Sequence, residues 1–337
     1  MKNFFWWRKV PKGGDGIKRL RDWRLGHSVM LVSVVILAGL IAVGAYWSRE
    51  PDLASVSNPN AVDLPLGVAT VESLATVIDV LLQKPGGYLS NDVMPPGVWL
   101  DNIPSWEFGV LVQVRDLSKA LRESFSRSQS QSTEDRDLAL AEPRFNVDHL
   151  SWAVPWPESE YEEGQTFLRN YRERLDAGQA VRGEFFARAD NLRYWLATVE
   201  TRLGSLSQRL SASVGQPRID GLPLSADAGL SGQKTIKTDW HRIDNVFYEA
   251  RGTMWALIHF LRAIEIDFAD ALEKKNATTS LQQIIRELEM SQQSVSAPMI
   301  MNGSGLGIFA NHSLVMASYV SRANAALIDL RELLAQG

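Results

Sequence analysis

No cysteine occurs among the 337 residues. A disulfide framework, thiolate zinc sites and thiol nucleophiles are excluded, while the redox state of the compartment stays open. Histidine is scarce too: His27, His149, His241, His259 and His312 are the full set. None stands in a metal-ligand spacing such as H-x-x-x-H. His241 and His259 share a helix face but lie about 27 Å apart along a helix axis, too far to bind one ion. We therefore expect no metal and no cofactor. Strand signals are weak throughout, because no sustained alternation is bounded by turns.

Charge is missing locally. Ser28 to Ser48, SVMLVSVVILAGLIAVGAYWS, holds no charged residue. At 1.5 Å per residue it reaches roughly 30 Å, the thickness of a bilayer core. A globular core helix seldom runs so long without a polar face. Val43-Gly44-Ala45 offers a small-residue cleavage site. The apolar run is nevertheless longer than a signal-peptide core, so an uncleaved transmembrane helix is expected. Tyr46 and Trp47 suit the interfacial belt.

The formal net charge of −4 conceals an asymmetry. Residues 1–27 carry eight Lys/Arg against two Asp, net +6, leaving 27 Lys/Arg against 37 Asp/Glu, net −10, in the rest. The basic flank predicts a cytoplasmic N-terminus and an exported C-terminal domain. A domain this acidic has no general attraction for nucleic acid. Phe4-Phe5-Trp6-Trp7 beside Arg8 and Lys9 reads either as a second interfacial contact or as a disordered tail lying on the membrane.

The expected organisation is a tail (1–27), a transmembrane helix (28–48), a linker (49–62) and an exported helical domain (63–337). The fold class is all-α, an elongated helical bundle with long a/d seams. Helices are predicted over Leu66–Gln83, Ser105–Ser128 with Ser105 as N-cap, Glu158–Ala177, Ser280–Gln292 and Ile308–Leu334. Phe185, Ala189, Leu192, Leu196, Val199, Leu203, Leu206 and Leu210 are spaced 4-3 throughout, as are Ile243, Phe247, Ala250, Met254, Leu257, Leu261, Ile264, Phe268 and Ala271. Each is a seam that demands a partner helix. Ser211–Lys237 is long enough to let the two fold back antiparallel on each other, the expected pairing.

Signals for chemistry are few. Glu123-Ser124 has the residue types that lytic transglycosylases use in a helical setting, with Glu123 as the acid. A surface ion pair with Lys119 or Arg127 is the plainer reading. Asp148-His149 with Ser151 has triad residue types without triad spacing. Gly303-Ser304-Gly305-Leu306-Gly307 precedes a helix, but no strand or P-loop Lys accompanies it, so it reads as a turn. Two Pro/Gly-rich loops hold Tyr88, Trp99 and Trp106, and Trp152 and Trp156. These five are the candidate binding residues, either a platform for a glycan or peptide or plugs for the ends of the bundle.

Residues 86–143, GGYLSNDVMPPGVWLDNIPSWEFGVLVQVRDLSKALRESFSRSQSQSTEDRDLALAEP, follow a single basic-flanked apolar helix. The chain resembles the bacterial membrane-protein family called domain of unknown function 2333. The resemblance implies a proteobacterial inner-membrane protein and transfers no catalytic or binding residue. The expected role is a non-enzymatic envelope scaffold or adaptor, with a peptidoglycan-acting hydrolase or lyase as the alternative. The expected partners are the lipid bilayer, a protein or a second copy through the seams, and peptidoglycan for the alternative.

Overall fold

The computed structural model describes residues 15–53, 64–128, 132–177, 183–217, 235–295, 297, 299–304 and 308–336. The aromatic tail Phe4–Trp7, most of the expected linker, the middle of Ser211–Lys237 and Gly305–Gly307 lie outside them. The chain divides into two compact units, one ending at Tyr46 and one starting at Trp47. All helices but the first lie in the larger unit, and the fold is all-α.

The first helix, α1 (Asp15–Trp47), begins in the basic stretch. Its Gly26–Trp47 part is long and apolar enough to cross a membrane, with mean hydropathy 2.6 and almost no burial.

The larger unit holds α2 (Val68–Gln83), α3 (Asn102–Ala120), α4 (Arg136–Phe145), α5 (Pro157–Asp176), α6 (Ala189–Ser211), α7 (Ile243–Asp267), α8 (Ala269–Lys274), α9 (Thr278–Met290) and α10 (His312–Ala335). A two-residue antiparallel pair joins Gln216–Pro217 to Thr235–Ile236. At its end α3 widens into a π-turn, Leu121–Phe125.

The centre of the unit is α7. Ala250 through Leu261 are buried without a break, so this is a helix enclosed on all sides. Its closest neighbour is α3. Gly109 faces Glu249 and Thr253, Gly252 faces Trp106, and Phe125 meets Phe268 at 5.1 Å. Residue numbers rise together along the contact, so α3 and α7 run parallel. The approach is backbone to backbone: a Cβ on Gly252 would fall 2.0 Å from the Trp106 carbonyl oxygen, and one on Gly109 2.1 Å from that of Glu249.

The seam of α6 closes elsewhere. Ser207 and Ser321 hydroxyls lie 2.6 Å apart, and Glu200 pairs with Arg331, so α10 runs antiparallel along α6. The two long seams are thus buried as expected, from Leu192 to Leu210 and from Phe247 to Phe268. The expected antiparallel pairing of one with the other is corrected, since each has another principal partner. A periodic stripe says that a face is covered, not by what. Gly109 and Gly252 permit an approach that side chains elsewhere forbid.

The starts of α3, α4 and α2 are each set differently. Helix α3 starts at Asn102, and the Ser105 hydroxyl bonds back to the Asp101 carbonyl at 2.8 Å inside the first turn rather than capping it. Helix α4 falls between the helices predicted over Ser105–Ser128 and Glu158–Ala177, in a stretch that contains Pro143. That proline sits in its last turn, and Asp135 caps its start by accepting from the amides of Asp137 and Leu138. Helix α2 takes its N-terminal partner from far along the chain. The Asp267 carboxylate accepts from the Gly67 and Thr70 amides at 2.9 and 2.7 Å and from the Thr70 hydroxyl at 2.6 Å, an anion placed on a helix N-terminus. Burial pushes this carboxyl above its ordinary range, and those donors pull it back.

Two predictions follow from the central helix. Gly252→Ala forces two backbones apart and should cost about 2–3 kcal/mol. Gly204→Ala on α6 meets only the tip of Asn324 at 3.7 Å and should gain about 0.5–1 kcal/mol from helix propensity. Urea unfolding of the two variants checks the contrast. His259, buried on α7 beside Trp255 with ring centroids 4.4 Å apart, has its pKa pushed down from 6.5 to about 4, by burial first and then by Arg262. The unfolded chain therefore binds the proton that the folded chain refuses between those values. Stability is full above pH 6.5 and falls as the pH drops toward 4. Wild type should lose about 2 kcal/mol more than His259→Phe between pH 7 and pH 5, read from melts at both pH values.

Candidate functional site

Lys84 is the sole Lys or Arg between Arg49 and Arg115, and it ends α2. The loop that follows, residues 84–101, turns at once through Gly86 and Gly87, with φ of 89° and 73°. Both conformations belong to the left-handed region where glycine carries no Cβ penalty. The loop is pinned from within. Lys84 Nζ lies 2.5 Å from the Glu107 carboxylate, both side chains fully buried, and donates to the Gly87 carbonyl. Glu107, on the first turns of α3, also accepts from the Leu89 amide at 2.9 Å and from the Ser90 amide and hydroxyl at 2.8 and 2.5 Å. Burial pushes the Glu107 carboxyl up, while Lys84, Ser90 and the Leu89 amide pull it down. Every lone pair that burial strips of water is answered by a donor, which makes the buried charge tolerable.

A second loop, residues 146–156, is bound to the first. Arg115 of α3 holds its start by donating to the Phe145 and Val147 carbonyls at 2.6 and 2.9 Å. The Tyr88 hydroxyl donates to the His149 carbonyl at 3.2 Å. Asn91 Nδ2 donates to the Ser151 carbonyl at 3.1 Å and to Glu158 at the start of α5. Burial and the facing Glu158 together hold the Asp92 carboxyl above the usual range.

The five aromatic residues singled out in the sequence divide by depth. Tyr88 and Trp106 are core residues at 4% and 0% exposure, and Trp106 packs on Trp255 at 5.2 Å. They are packed in the core and offer no surface to a ligand. Trp99, Trp152 and Trp156 stand out at 55%, 69% and 56% exposure. Met94, Leu150 and Val154 are exposed beside them in sequence. The hydrogen bonds of Tyr88 and Asn91 bring the two loops side by side, so these exposed apolar side chains are carried on adjoining loops. Residues 93–99 and 149–157 contain no Lys, Arg, Asp or Glu.

Glu123 lies in the π-turn after α3. Its Oε2 accepts from the Tyr194 hydroxyl at 2.5 Å, and its Oε1 faces Arg122 at 3.5 Å. The expected partner Arg127 turns to Glu134 instead. Tyr194 lines an open groove of about 750 Å³ with Asp190, Arg193, Thr198, Arg202 and Arg331. A glycan acid works in an apolar pocket with a free carboxyl oxygen. Here both oxygens are engaged and the surroundings are polar. Asp148, His149 and Ser151 make no triad: Asp148 Oδ1 is 3.9 Å from His149, while the Ser151 hydroxyl donates to the Ala153 carbonyl. Among the described residues, no group of three His, Asp or Glu is arranged to hold a metal ion.

Two buried charged side chains carry more of the architecture than their sequence positions suggest. One is Glu107. The other is Arg251, buried next to Gly252. It forks onto Glu50 at 2.8 and 2.5 Å and donates to the Ser291 and Gln293 carbonyls at 3.1 and 2.9 Å. One guanidinium thus ties the chain just after α1 to the end of α9, where a cation meets orphan carbonyls favourably. An Arg inside the apolar run YEARGTMWALIHFL was the available signal for this.

A family model described as an uncharacterized protein conserved in bacteria, DUF2333, matches residues 18–337. The chain belongs to this family. No curated protein and no solved structure matches it. The DUF2333 match covers α1 from Lys18 and the whole larger unit, so the apolar helix and both joined loops lie within the family's own span.

The buried pair yields a prediction. Lys84→Met leaves Glu107 charged and without its cation, and should cost about 3–5 kcal/mol. Arg169→Met, which removes an exposed 2.8 Å pair with Asp79, should cost under about 1 kcal/mol. Urea unfolding of the two variants separates them, and equal losses would mean that the Lys84 pair is solvated.

Proposed function

We propose that this DUF2333 protein is a single-pass inner-membrane protein whose larger unit lies in the periplasm and acts as a non-enzymatic scaffold or adaptor of the cell envelope. The observation that carries the reading is the contrast between the two units. The Gly26–Trp47 helix is apolar and almost unburied, whereas the long apolar seams of the larger unit are used up inside it. Lipid suits the first, and the second is left to meet partners through its loops and its acidic surface. The +6 tail and the −10 remainder support a cytoplasmic N-terminus. The engaged carboxylate of Glu123 gives the hydrolase alternative no specific support.

Alkaline phosphatase fused after Gly337 should be active and fused before Ser28 inactive, and the reverse pattern overturns the orientation. In-cell crosslinking from the larger unit should recover a protein partner or a second copy. Recovery of neither overturns the adaptor role.

A further inference from the structure

The apolar side chains of the joined loops are left exposed among the described residues, and their position limits what covers them. The larger unit begins at Trp47, the last residue of the helix long enough to cross a membrane. Trp47 lies against Gly86: a Cβ on Gly86 would fall 2.8 Å from the Trp47 ring. Gly86 opens the first loop, and five residues later Asn91 holds the second loop through the Ser151 carbonyl. Five residues of extended chain reach at most about 18 Å. The junction of the two loops is therefore close to the point where the chain enters the unit. Within the larger unit the chain after Trp47 is held in place, because Glu50 is forked by the buried Arg251 and the Asp52 carbonyl accepts from Trp255 Nε1 at 3.3 Å.

The chemistry of the patch points the same way. Three exposed tryptophans, on loop tips free of charged residues, are of the residue type enriched at the level of lipid headgroups, and Met94, Leu150 and Val154 beside them are apolar and exposed. Asp92, Asp101, Asp148 and Glu158 border those tips and give no attraction for an anionic surface. We propose that the joined loops 84–101 and 146–156 seat Met94, Trp99, Trp152 and Trp156 in the interface of the same bilayer that holds α1, by apolar insertion rather than charge. This goes beyond the adaptor role and rests on the anchor reading alone.

The absence of cysteine makes the test clean. Met94→Cys and Trp152→Cys, with Thr201→Cys on α6 as the remote control, would each carry one environment-sensitive fluorophore in the full chain. The protein is reconstituted in phosphatidylcholine vesicles containing nitroxide lipid. The labels at 94 and 152 should shift to the blue and be quenched several-fold more strongly than the label at 201, unchanged in high salt and when diluted to one copy per vesicle. Vesicles that float with the protein while both labels stay in water overturn the insertion and leave the anchor intact. A blue shift that vanishes on dilution assigns the patch to a second copy and overturns it as well. Protein that fails to float with the vesicles removes the anchor and the insertion together.

Discussion

Two glycines let the centre of this protein exist. Where α3 crosses α7, Gly109 and Gly252 each place their Cα hydrogens against a carbonyl oxygen of the other helix, at a separation that no Cβ permits. Close contact of this kind gains dispersion over many atoms and admits weak Cα–H···O contacts. It also fixes the relative register of two parallel helices, which a stripe of leucines alone leaves free to slide. Everything else in the larger unit is layered on this pair: α2 and α9 lie on α7, and α6 reaches both α3 and α7 while α10 covers its other face.

The crossing also sets where the buried charges stand. Glu107 is two residues before Gly109, and Arg251 is the neighbour of Gly252. One reaches Lys84 and the loop after α2, the other reaches Glu50 and the chain after α9. A charge in a core is costly unless its partners are held in place. Here the rigid crossing holds them. Irregular segments that lack helical hydrogen bonds of their own are thereby tied to the most immobile part of the unit. Loops built this way can present apolar side chains to solvent without collapsing onto the core.

Much of this was legible in the sequence, for reasons that are physical. Long 4-3 spacings such as Leu192–Leu210 identify helices because only a helix puts those positions on one face. The uncharged run from Ser28 to Ser48 identifies a helix suited to lipid because no water-facing helix does without polar residues. The partner of each seam was not legible. Leu203 has the same periodicity whether α7 or α10 covers it, and the deciding residues, Gly109 and Gly252, carry no side chain to follow. Helix α4 was hidden by Pro143, whose missing N–H and ring disfavour a helix, and α4 ends two residues beyond it at Phe145. The candidate site was half legible. Trp and Tyr in Pro/Gly-rich loops drew attention to the right loops, but depth is a tertiary property. Tyr88 and Trp106 look like Trp99 and Trp152 until the Glu107 pair folds the first loop inward.

That division of the aromatics bears on recognition. The exposed group lies on tips without charge, and the nearest charges on either side are acidic. A partner surface rich in phosphate or carboxylate gains nothing from Asp92, Asp101, Asp148 or Glu158, and a strongly basic one would be drawn to the rim rather than to the tryptophans. Affinity at the patch therefore has to come from the area of Trp99, Trp152 and Trp156 removed from water, a term that salt does not screen. Rigid support raises that term's effectiveness. With the loops already fixed by Lys84, Arg115 and Asn91, little conformational entropy remains to be lost when the patch is covered. The buried ion pair between α2 and α3 thus holds in place the loop that carries Met94 and Trp99.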